Sequence, residues 1–290
     1  MSEKCYPLAE RMKTYEFVET DSKFINSQPL ICRVDGRSFS KFCKHFTKPY
    51  SKIISDSMTK TSKFLLHETK ADLAYHQSDE ISLLFKPIEN PSSRMFDGKK
   101  TKLNTVIAGM ASSFFMKTIL EECNKAEVDF IDYYVPHFDS RMFSVPNMTE
   151  AGNYFVWRQQ DAKRNSISMM AQSIFSHRQL QSKSGTEMLE MIKNESGDYY
   201  GMPFNFRHGS FFTKEKVEKE INGESCIRTE IKEHDIETIT YQLFDNSEGD
   251  NEEKIINKIK EYGKKSLFTD EQLEYSKNYD GDITIGSKNS

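Results

Sequence analysis

Apolar residues recur along the first half of the chain with two spacings, one typical of strands and the other of helices. A short apolar run at 29–34 (PLICRV) stops at an Asp-Gly pair, and residues 80–86 (EISLLFK) alternate apolar and polar side chains. These patterns predict a buried strand that ends in a turn and a second strand with one buried face. Residues 71–77 (ADLAYHQ) also have strand character, so a hairpin is expected with Gln77-Ser78-Asp79 at its tip.

Segments with helical spacing lie between and around these strands. They occupy residues 8–16, 51–68 and 101–123, and strand character returns at 130–145. From residue 29 onward the order is therefore strand, helix, strand, strand, helix, strand. That order predicts an α+β domain of the ferredoxin-like type, in which two helices back a four-stranded antiparallel sheet.

The second half of the chain is less regular. Residues 149–195 predict two or three helices, and GSFFTK (209–214) and ESCIRTEI (224–231) predict short strands. We therefore divide the chain into a first domain at 1–146, a smaller helical and β lobe at 147–240, and an acidic, partly mobile tail at 241–290. Within the tail, EEKIINKIKEYGKK (252–265) predicts one amphipathic helix.

Composition places the chain among soluble globular proteins, with 37% hydrophobic and 29% charged residues. The cysteines are five, scattered and never in CxxC spacing, which argues against a disulfide framework and a zinc site and indicates reduced intracellular thiols. No apolar run approaches a membrane span, and the N-terminal residues lack a secretory signal. We expect a cytoplasmic protein without a membrane partner; the same N-terminus is compatible with import into an organelle.

Net charge does not decide whether the partner is a nucleic acid. The formal charge is -4, but the last fifty residues contain seven lysines and eleven acids, so residues 1–240 are neutral overall. A neutral body can still present a basic groove beside an acidic site. The charge therefore argues only against tight, non-specific binding.

Three acids carry the first chemical hypothesis. Asp35 ends the first strand, while Asp79 and Glu80 lie at the tip of the hairpin, so the predicted topology brings them to one edge of adjacent strands. Converging carboxylates repel one another unless a cation joins them, and Mg²⁺ prefers oxygen ligands. Taken singly, Asp35-Gly36 is also a common turn and Asp79 a common hairpin residue, so the metal-site hypothesis rests on the pair.

Polar groups around these acids favour a phosphate ligand. Gly36 has no side chain, so its backbone can approach a triphosphate closely, and Arg37 and Ser38 add donors. Four lysines flank the site in the sequence and could screen phosphates, although most lysines are simply solvated; they are Lys48, Lys99, Lys100 and Lys102.

The segment WRQQDAKRNSIS (157–168) is the second candidate for ligand binding. It places Arg158, Asp161 and Asn165 on one helix face, with Lys163 and Arg164 nearby. Such a face can grip a phosphate or a base edge, and a salt-bridged surface helix is an equally good interpretation.

These segments together resemble the tRNA-histidine guanylyltransferase superfamily, and in particular its guanylyltransferase-like branch of 3′-to-5′ RNA polymerases. The matching stretches cover roughly residues 8–215 in the order of the family; they are LAERMKTYE, CRVDGRSFSKF with HFTKP, HQSDEISLLF, FDSRMFSVP and WRQQDAKRNSIS. The resemblance implies a polymerase palm that adds nucleotides in the opposite direction. A nucleoside triphosphate would activate the 5′-monophosphate of an RNA, and the 3′-hydroxyl of an incoming nucleotide would then attack it.

The resemblance also assigns roles to residues of this chain. Catalysis would fall to Asp35, Asp79 and Glu80, and two Mg²⁺ ions would be held by Asp35, the Gly36 carbonyl and Asp79. The nucleotide would be bound by Asp35, Gly36, Arg37, Ser38, Phe39, Ser40, Lys48, Ser78 and Asp79. The triphosphate or the RNA 5′ end would lie near Lys99, Lys100 and Lys102.

The C-terminal lobe would contribute to RNA binding and oligomerisation, with RNA contacts from Arg158, Lys163, Arg164 and Asn165. The expected partners are tRNA, ATP and GTP or other nucleoside triphosphates, and further copies of the chain in a homotetramer.

One departure from the family pattern favours a particular reaction. Enzymes that add the extra guanosine to histidine tRNA carry a His-Ile-Asn-Asn element after WRQ, whereas this chain has Arg164-Asn165 there. The Arg-Asn form resembles the branch associated with template-dependent repair of 5′-truncated tRNA, and we favour that function over non-templated guanosine addition. Two further alternatives are a nucleotide cyclase, which would need no RNA groove, and a catalytically silent RNA-binding protein.

Overall fold

The computed structural model describes residues 7–89, 94–128, 135–195, 197–221 and 224–234, which fall within one unit of the chain, Met1–Phe244. The predicted tail at 241–290 with its helix, and the first residues of the strand predicted at 130–145, lie outside these ranges. The helices are α1 (Leu8–Thr20), α2 (Phe39–Phe42), α3 (Lys52–Glu68), α4 (Lys100–Lys125), α5 (Met148–Ile174), α6 (His177–Leu180), α7 (Gly185–Asn194) and α8 (Phe204–His208). The strands are β1 (Leu30–Gly36), β2 (Leu73–Gln77), β3 (Glu80–Phe85), β4 (Phe138–Ser144), β5 (Ser210–Ile221) and β6 (Glu224–His234).

The strands form one antiparallel sheet in the order β4-β1-β3-β2-β5-β6. Its first four strands, with α3 and α4, are the predicted ferredoxin-like palm, so the α+β fold class is confirmed. Both faces of its central strands β1, β3 and β2 are covered. One face packs against α3 and α4 through residues such as Val34, Ile81 and Leu83, and the other packs against α5 through residues such as Ile31 and Tyr75. Burial on both faces explains why these strands are largely apolar in sequence.

The sheet is wider than the sequence predicted. The two segments predicted as short strands of a separate lobe are long, and they form a hairpin that pairs with β2 along Leu73–His76. Alternating Lys and Glu along β5 hid this pairing, because the hairpin extends past β2 and exposes much of its surface. The sheet therefore continues across the predicted domain boundary at 146, which falls between β4 and β5. The helices α5, α6 and α7 come after that boundary, as predicted.

Helix α4 corrects the expectation that no apolar run approaches a membrane span. Residues 100–125 are long and apolar enough to cross a membrane by length and composition. In the structure α4 is a core helix of the palm, since its buried face packs under β1 and β4. That face consists of Leu103, Ile107, Ala111, Phe115, Ile119 and Cys123.

Candidate functional site

Four carboxylates meet at one end of the palm sheet. Asp35 on β1 lies directly opposite Glu80 on β3 and Asp139 on β4 in the strand register. Opposite residues of antiparallel strands have Cα atoms about 4.5–5.5 Å apart, so their side chains are neighbours on one face. Asp79 precedes Glu80 in the β2–β3 turn, and its carbonyl accepts a hydrogen bond from the Gly36 N–H at 3.1 Å. The structure thus brings together Asp35, Asp79 and Glu80 as the sequence predicted.

Gly36 is required by close packing between β1 and this turn. A Cβ atom at this position would lie 2.6 Å from the Phe39 ring and 3.0 Å from the Asp79 Cβ. The Phe39 ring is itself buried against Phe42, Phe115 and Phe138, so it has little room to move. The glycine therefore keeps Asp79 against the end of β1.

The pKa of Asp79 indicates that too little positive charge surrounds its carboxylate. Burial, and then the nearby Asp35 carboxylate, raise its pKa to about 6. A cation between the two acids would remove this repulsion. Within the described ranges, no cage of three or more His, Cys, Asp or Glu residues is present. Asp35, Asp79 and the Gly36 carbonyl offer an all-oxygen, incomplete ligand set, which fits a hard divalent cation that also uses water and substrate phosphates.

Glu80 belongs to a buried ion-pair network and not to the Asp35–Asp79 pair. Its two carboxylate oxygens accept hydrogen bonds from Arg158 at 2.7 and 2.8 Å, and Arg158 also donates to Asp161 at 2.8 Å. Burial raises the pKa of Glu80, and the Arg158 guanidinium opposes that shift. Because both oxygens are occupied, Glu80 is placed to fix α5 against the sheet, and the geometry does not support its predicted catalytic role.

The structure does not support the prediction that Arg158 binds RNA, for the same reason. Its side chain is only 7% exposed and its donors are directed at acids of the protein. The polar helix face looked like a ligand surface because sequence spacing does not show which side of α5 meets the sheet. Lys163 and Arg164 do lie on the exposed side of the helix, with Arg164 paired to Asp161, and their RNA contacts stay predictions.

Arg141 on β4 is a site residue that sequence reasoning missed. Its guanidinium lies 3.5 Å from the Asp35 carboxylate and 3.3 Å from that of Asp139. It therefore places a positive charge beside Asp35. The contact depends on the strand register, which pairs Asp139 with Asp35 and so brings Arg141, two residues further along β4, close to Asp35.

Two cavities adjoin the acids. The first has a volume of about 420 Å³ and extends from Asp79 and Lys48 to Tyr50 and Asn205, between α3, the β2–β3 turn, α5 and α8. The second, of about 360 Å³, is more open and lies over Asp35, Glu80 and Asp161. Six residues line both cavities: Gln77, Ser78, Asp79, Asn165, Met169 and Gln172. The first volume lies within the range typical of sites for small ligands.

The predicted nucleotide-binding residues divide between these cavities and the turn beside them. The first cavity is lined by Phe39, Ser40, Lys48, Ser78 and Asp79, and the second by Asp35, Ser78 and Asp79. Gly36 ends β1, Arg37 and Ser38 follow it in the turn, and none of the three lines either cavity. The Arg37 side chain is exposed, and its backbone N–H donates to the His137 carbonyl at 2.9 Å.

The structure does not support the prediction that the triphosphate lies near three lysines of the same chain, Lys99, Lys100 and Lys102, because they lie far from the acids. Helix α4 approaches the acid end of the sheet as it proceeds, and its Ser112 accepts a hydrogen bond from the Phe138 N–H there. Lys100 is twelve residues earlier, or about 18 Å along the helix axis at 1.5 Å per residue. Two of these lysines instead contact the segment before β1: Lys99 pairs with Asp21 at 2.9 Å, and Lys100 lies over the Phe24 ring. Lys102 lies over the Phe96 ring.

The fold is a palm sheet with two acids at the ends of its central strands and a nucleotide-sized cavity beside them. Together these features define a nucleotidyltransferase of the polymerase-palm class. The model of the tRNAHis guanylyltransferase family matches residues 9–146, which are the palm. The chain belongs to the tRNAHis guanylyltransferase superfamily. It is accordingly a nucleotidyltransferase of tRNA processing, and enzymes of this class depend on divalent metal ions.

Known proteins similar to this chain include both structures and sequences. A bacterial tRNA(His) guanylyltransferase-like protein in complex with ATP is 30% identical, with a TM-score of 0.65, over 77% of this chain and 92% of that one. The corresponding complex with GTP is 28% identical, with a TM-score of 0.64, over 88% and 96%. An uncharacterised protein of Acanthamoeba polyphaga mimivirus is 26% identical over 78% of this chain and 83% of its own length. A probable tRNA(His) guanylyltransferase of Drosophila melanogaster is 26% identical over 70% and 74%.

Proposed function

We propose that this protein repairs the 5′ end of truncated tRNA by template-dependent, 3′-to-5′ nucleotide addition. The observation that carries the proposal is the Asp35–Asp79 pair, which lies between a cavity of nucleotide size and a more open cavity over the same acids. Two adjoining cavities suit a reaction that joins a nucleotide to a second, larger substrate. The Arg164-Asn165 sequence on α5 supports repair over guanosine addition to histidine tRNA.

The proposed chemistry has two phosphoryl transfers. In the first, an oxygen of the RNA 5′-monophosphate attacks the α-phosphorus of a nucleoside triphosphate, and pyrophosphate leaves. In the second, the 3′-hydroxyl oxygen of an incoming nucleotide attacks the RNA 5′-phosphorus, and the nucleoside monophosphate leaves. Asp35, the Gly36 carbonyl and Asp79 would hold divalent cations, two Mg²⁺ ions in this proposal, which would supply positive charge next to the attacking and leaving oxygens.

Residues of the chain have the remaining tasks. Lys48 lines the first cavity and is placed to neutralise phosphate oxygens, while Ser40 and Ser78 offer hydroxyl donors there. Asn165 lines both cavities and is held by a 3.2 Å hydrogen bond from its amide to Asp161. We extend the proposal to a cytoplasmic homotetramer, and the sedimentation mass of the purified protein tests the assembly: a monomer would rule it out.

The reaction can be tested by incorporation of labelled nucleotides with Mg²⁺ by the purified full-length protein. One substrate is a 5′-monophosphorylated tRNA that lacks its first nucleotide, and the parallel substrate is full-length histidine tRNA. We expect addition to the truncated RNA only, with the added base complementary to the opposing nucleotide. Changing that opposing nucleotide should change which of the four triphosphates is incorporated.

Each other outcome identifies a competing function. Guanosine addition to histidine tRNA irrespective of the opposing base would assign the non-templated reaction, which the names of the curated relatives favour. A cyclic nucleotide formed without RNA would assign a cyclase. RNA binding without any addition would leave a silent RNA-binding protein and overturn the proposed repair.

A further inference from the structure

Three aromatic rings join the edge strand β4 to helix α5, outside both cavities. The Phe143 ring of β4 meets the Tyr154 ring of α5 edge-on, with centroids 5.8 Å apart, and Tyr154 meets Trp157 in the same way at 5.8 Å. Tyr154 is buried, but the outer rings are open, since Phe143 is 38% and Trp157 is 47% exposed. The Arg158 guanidinium lies over the Trp157 ring, 4.4 Å from its centroid. We call Phe143, Tyr154 and Trp157 the aromatic row.

Arg141 connects the aromatic row to the end of the sheet where the acids meet. Asp139, Arg141 and Phe143 alternate along β4 and therefore lie on one face, which also bears Asp35 opposite Asp139. Four residues of strand span about 13 Å at about 3.3 Å per residue, so Phe143 lies about that far from the acids, with Arg141 between them. This distance is about the length of four stacked nucleotides at about 3.4 Å each.

The charge of this surface favours an anionic partner. Arg141 is directly opposite Arg33 of β1 in the strand register, and the chain has no acid from residue 140 to residue 149. Two arginines opposite one another on a sheet repel, and a phosphate bound between them would relieve that repulsion. A second copy of this chain suits the surface less well, because a two-fold contact would bring the arginines of both copies together. Among the described residues, the acids that pair with these arginines lie toward the reacting end of the sheet: Asp35, Asp139 and Glu80.

Open aromatic rings beside a cation suit unpaired nucleotides, because bases stack on the rings while the cation binds the backbone. In the proposed reaction the 5′ end of the RNA lies at the acids, and the opposite strand continues past it as the unpaired 3′ tail of the tRNA. We propose that Arg141 and the aromatic row bind this 3′ tail, with Arg141 at a phosphate and bases stacked on Phe143 and Trp157. This inference rests on the proposed function for the identity of the RNA, and on the surface alone for its preference for unpaired nucleotides.

Binding of RNA hairpins without catalysis is the first test. Trp157 is the only tryptophan of the chain, so the intrinsic fluorescence of the full-length protein reports on the aromatic row. Three 5′-monophosphorylated hairpins with the same duplex are compared: one with an unpaired 3′ tail, one blunt, and one with the same unpaired nucleotides at its 5′ end. We expect the 3′-tailed hairpin to quench the fluorescence and to bind at least about fivefold more tightly than the other two, as expected for one stacked base.

Variants of Phe143 isolate the contribution of its ring. Phe143→Ala should weaken binding of the 3′-tailed hairpin by at least about fivefold and leave the affinity for the blunt hairpin within about twofold of the native value. Phe143→Tyr keeps a ring and should restore the preference for the tail. Phe17→Ala, the same substitution at an exposed residue of α1, is the matched control and should bind like the native protein. Trp157 is unchanged in all three variants, so the same fluorescence signal serves for each.

The salt dependence of binding tests Arg141 separately. Each phosphate contact that is lost lowers the slope of log affinity against log salt concentration by about 1. Arg141→Gln should therefore lower this slope by about 1 for the 3′-tailed hairpin and leave the slope for the blunt hairpin unchanged. Equal slopes for the native protein and Arg141→Gln on the tailed hairpin would contradict the phosphate contact.

The outcomes separate this inference from the proposed function. If the tailed and blunt hairpins bind equally, or Phe143→Ala weakens both equally, the aromatic row does not bind the tail, whether or not the protein extends truncated tRNA. If Phe143→Ala lowers the sedimentation mass of the protein and leaves the preference for the tail unchanged, a second copy covers the row and the inference is wrong. If the native protein prefers the 3′-tailed hairpin through Phe143 but adds no nucleotide, the proposed function fails and the tail-binding surface stands.

Discussion

Asp79→Asn is expected to abolish nucleotide addition and to leave the folded protein at least as stable as the native one. The substitution keeps the size of the side chain but removes the charge that binds a cation. Removal of a metal ligand should lower activity by more than the 10- to 100-fold typical of mutating a residue that only supports a ligand. We therefore expect a rate of addition at least about 100-fold lower. Without metal, the native acids repel each other at the edge of the sheet, and asparagine relieves that repulsion. Asp35→Asn should behave in the same way.

The two halves of this expectation are measured separately. Addition to truncated tRNA gives the rate, and thermal unfolding in EDTA and in Mg²⁺ with ATP gives the stability. Mg²⁺ with ATP should raise the unfolding temperature of the native protein and raise that of the variants much less, because a ligand stabilises only the state that binds it. Asp56→Asn, a partly exposed aspartate of α3 that pairs with Lys52, is the matched control and should resemble the native protein. Near-native activity of either site variant would disprove the two-acid metal site.

Arg158→Ala is expected to have the largest effect on stability. It would leave the buried Glu80 with only longer contacts, to the Arg33 guanidinium at 4.0 Å and the Ser82 hydroxyl at 3.5 Å, and breaking a buried ion pair from one side typically costs about 3–5 kcal/mol. The free energy of unfolding from urea titration, measured without RNA, checks this. Asp161 keeps a second partner in Arg164, so the loss should come mainly from Glu80.

Two further variants isolate the buried pair. Arg164→Ala is the matched control, since Arg164 binds the same Asp161 but is 69% exposed, and it should change the free energy of unfolding by no more than about 0.5 kcal/mol. The double substitution Glu80→Met with Arg158→Met removes both charges and should recover much of the lost stability. If Arg158→Ala weakens RNA binding but unfolds like the native protein, then Arg158 is an RNA contact and the buried network is not what holds α5.

The palm was predictable from sequence because its signals are local. The run before Asp35-Gly36 and the alternation after Glu80 define two strands by themselves, and the turn between β2 and β3 follows from their closeness in the chain. Convergence of Asp35 with Asp79 then needs only the topology. The hairpin of β5 and β6 was underestimated because its outer half is polar on both faces, so no apolar alternation marks its length.

The remaining site residues depend on how distant segments pack. Whether Arg158 faces solvent or the sheet is a matter of the rotation of α5, and spacing along the helix is the same in both cases. The position of Lys99–Lys102 depends on the direction in which α4 runs relative to the acids. Asn205 is separated from Ser55 by 150 residues and has no neighbouring motif, so only the folded chain shows that the two side chains touch.

The wall shared by the two cavities links their occupants energetically. Ser78, Asp79 and Asn165 contact the space on both sides, so a ligand that shifts them in one cavity alters the surface that the other cavity presents. Thermodynamic linkage is reciprocal. If bound nucleotide changes the affinity of the protein for RNA by some factor, bound RNA changes its affinity for the nucleotide by the same factor. For the proposed repair reaction, such reciprocity means that nucleotide concentration would help to set how firmly the truncated RNA end is held.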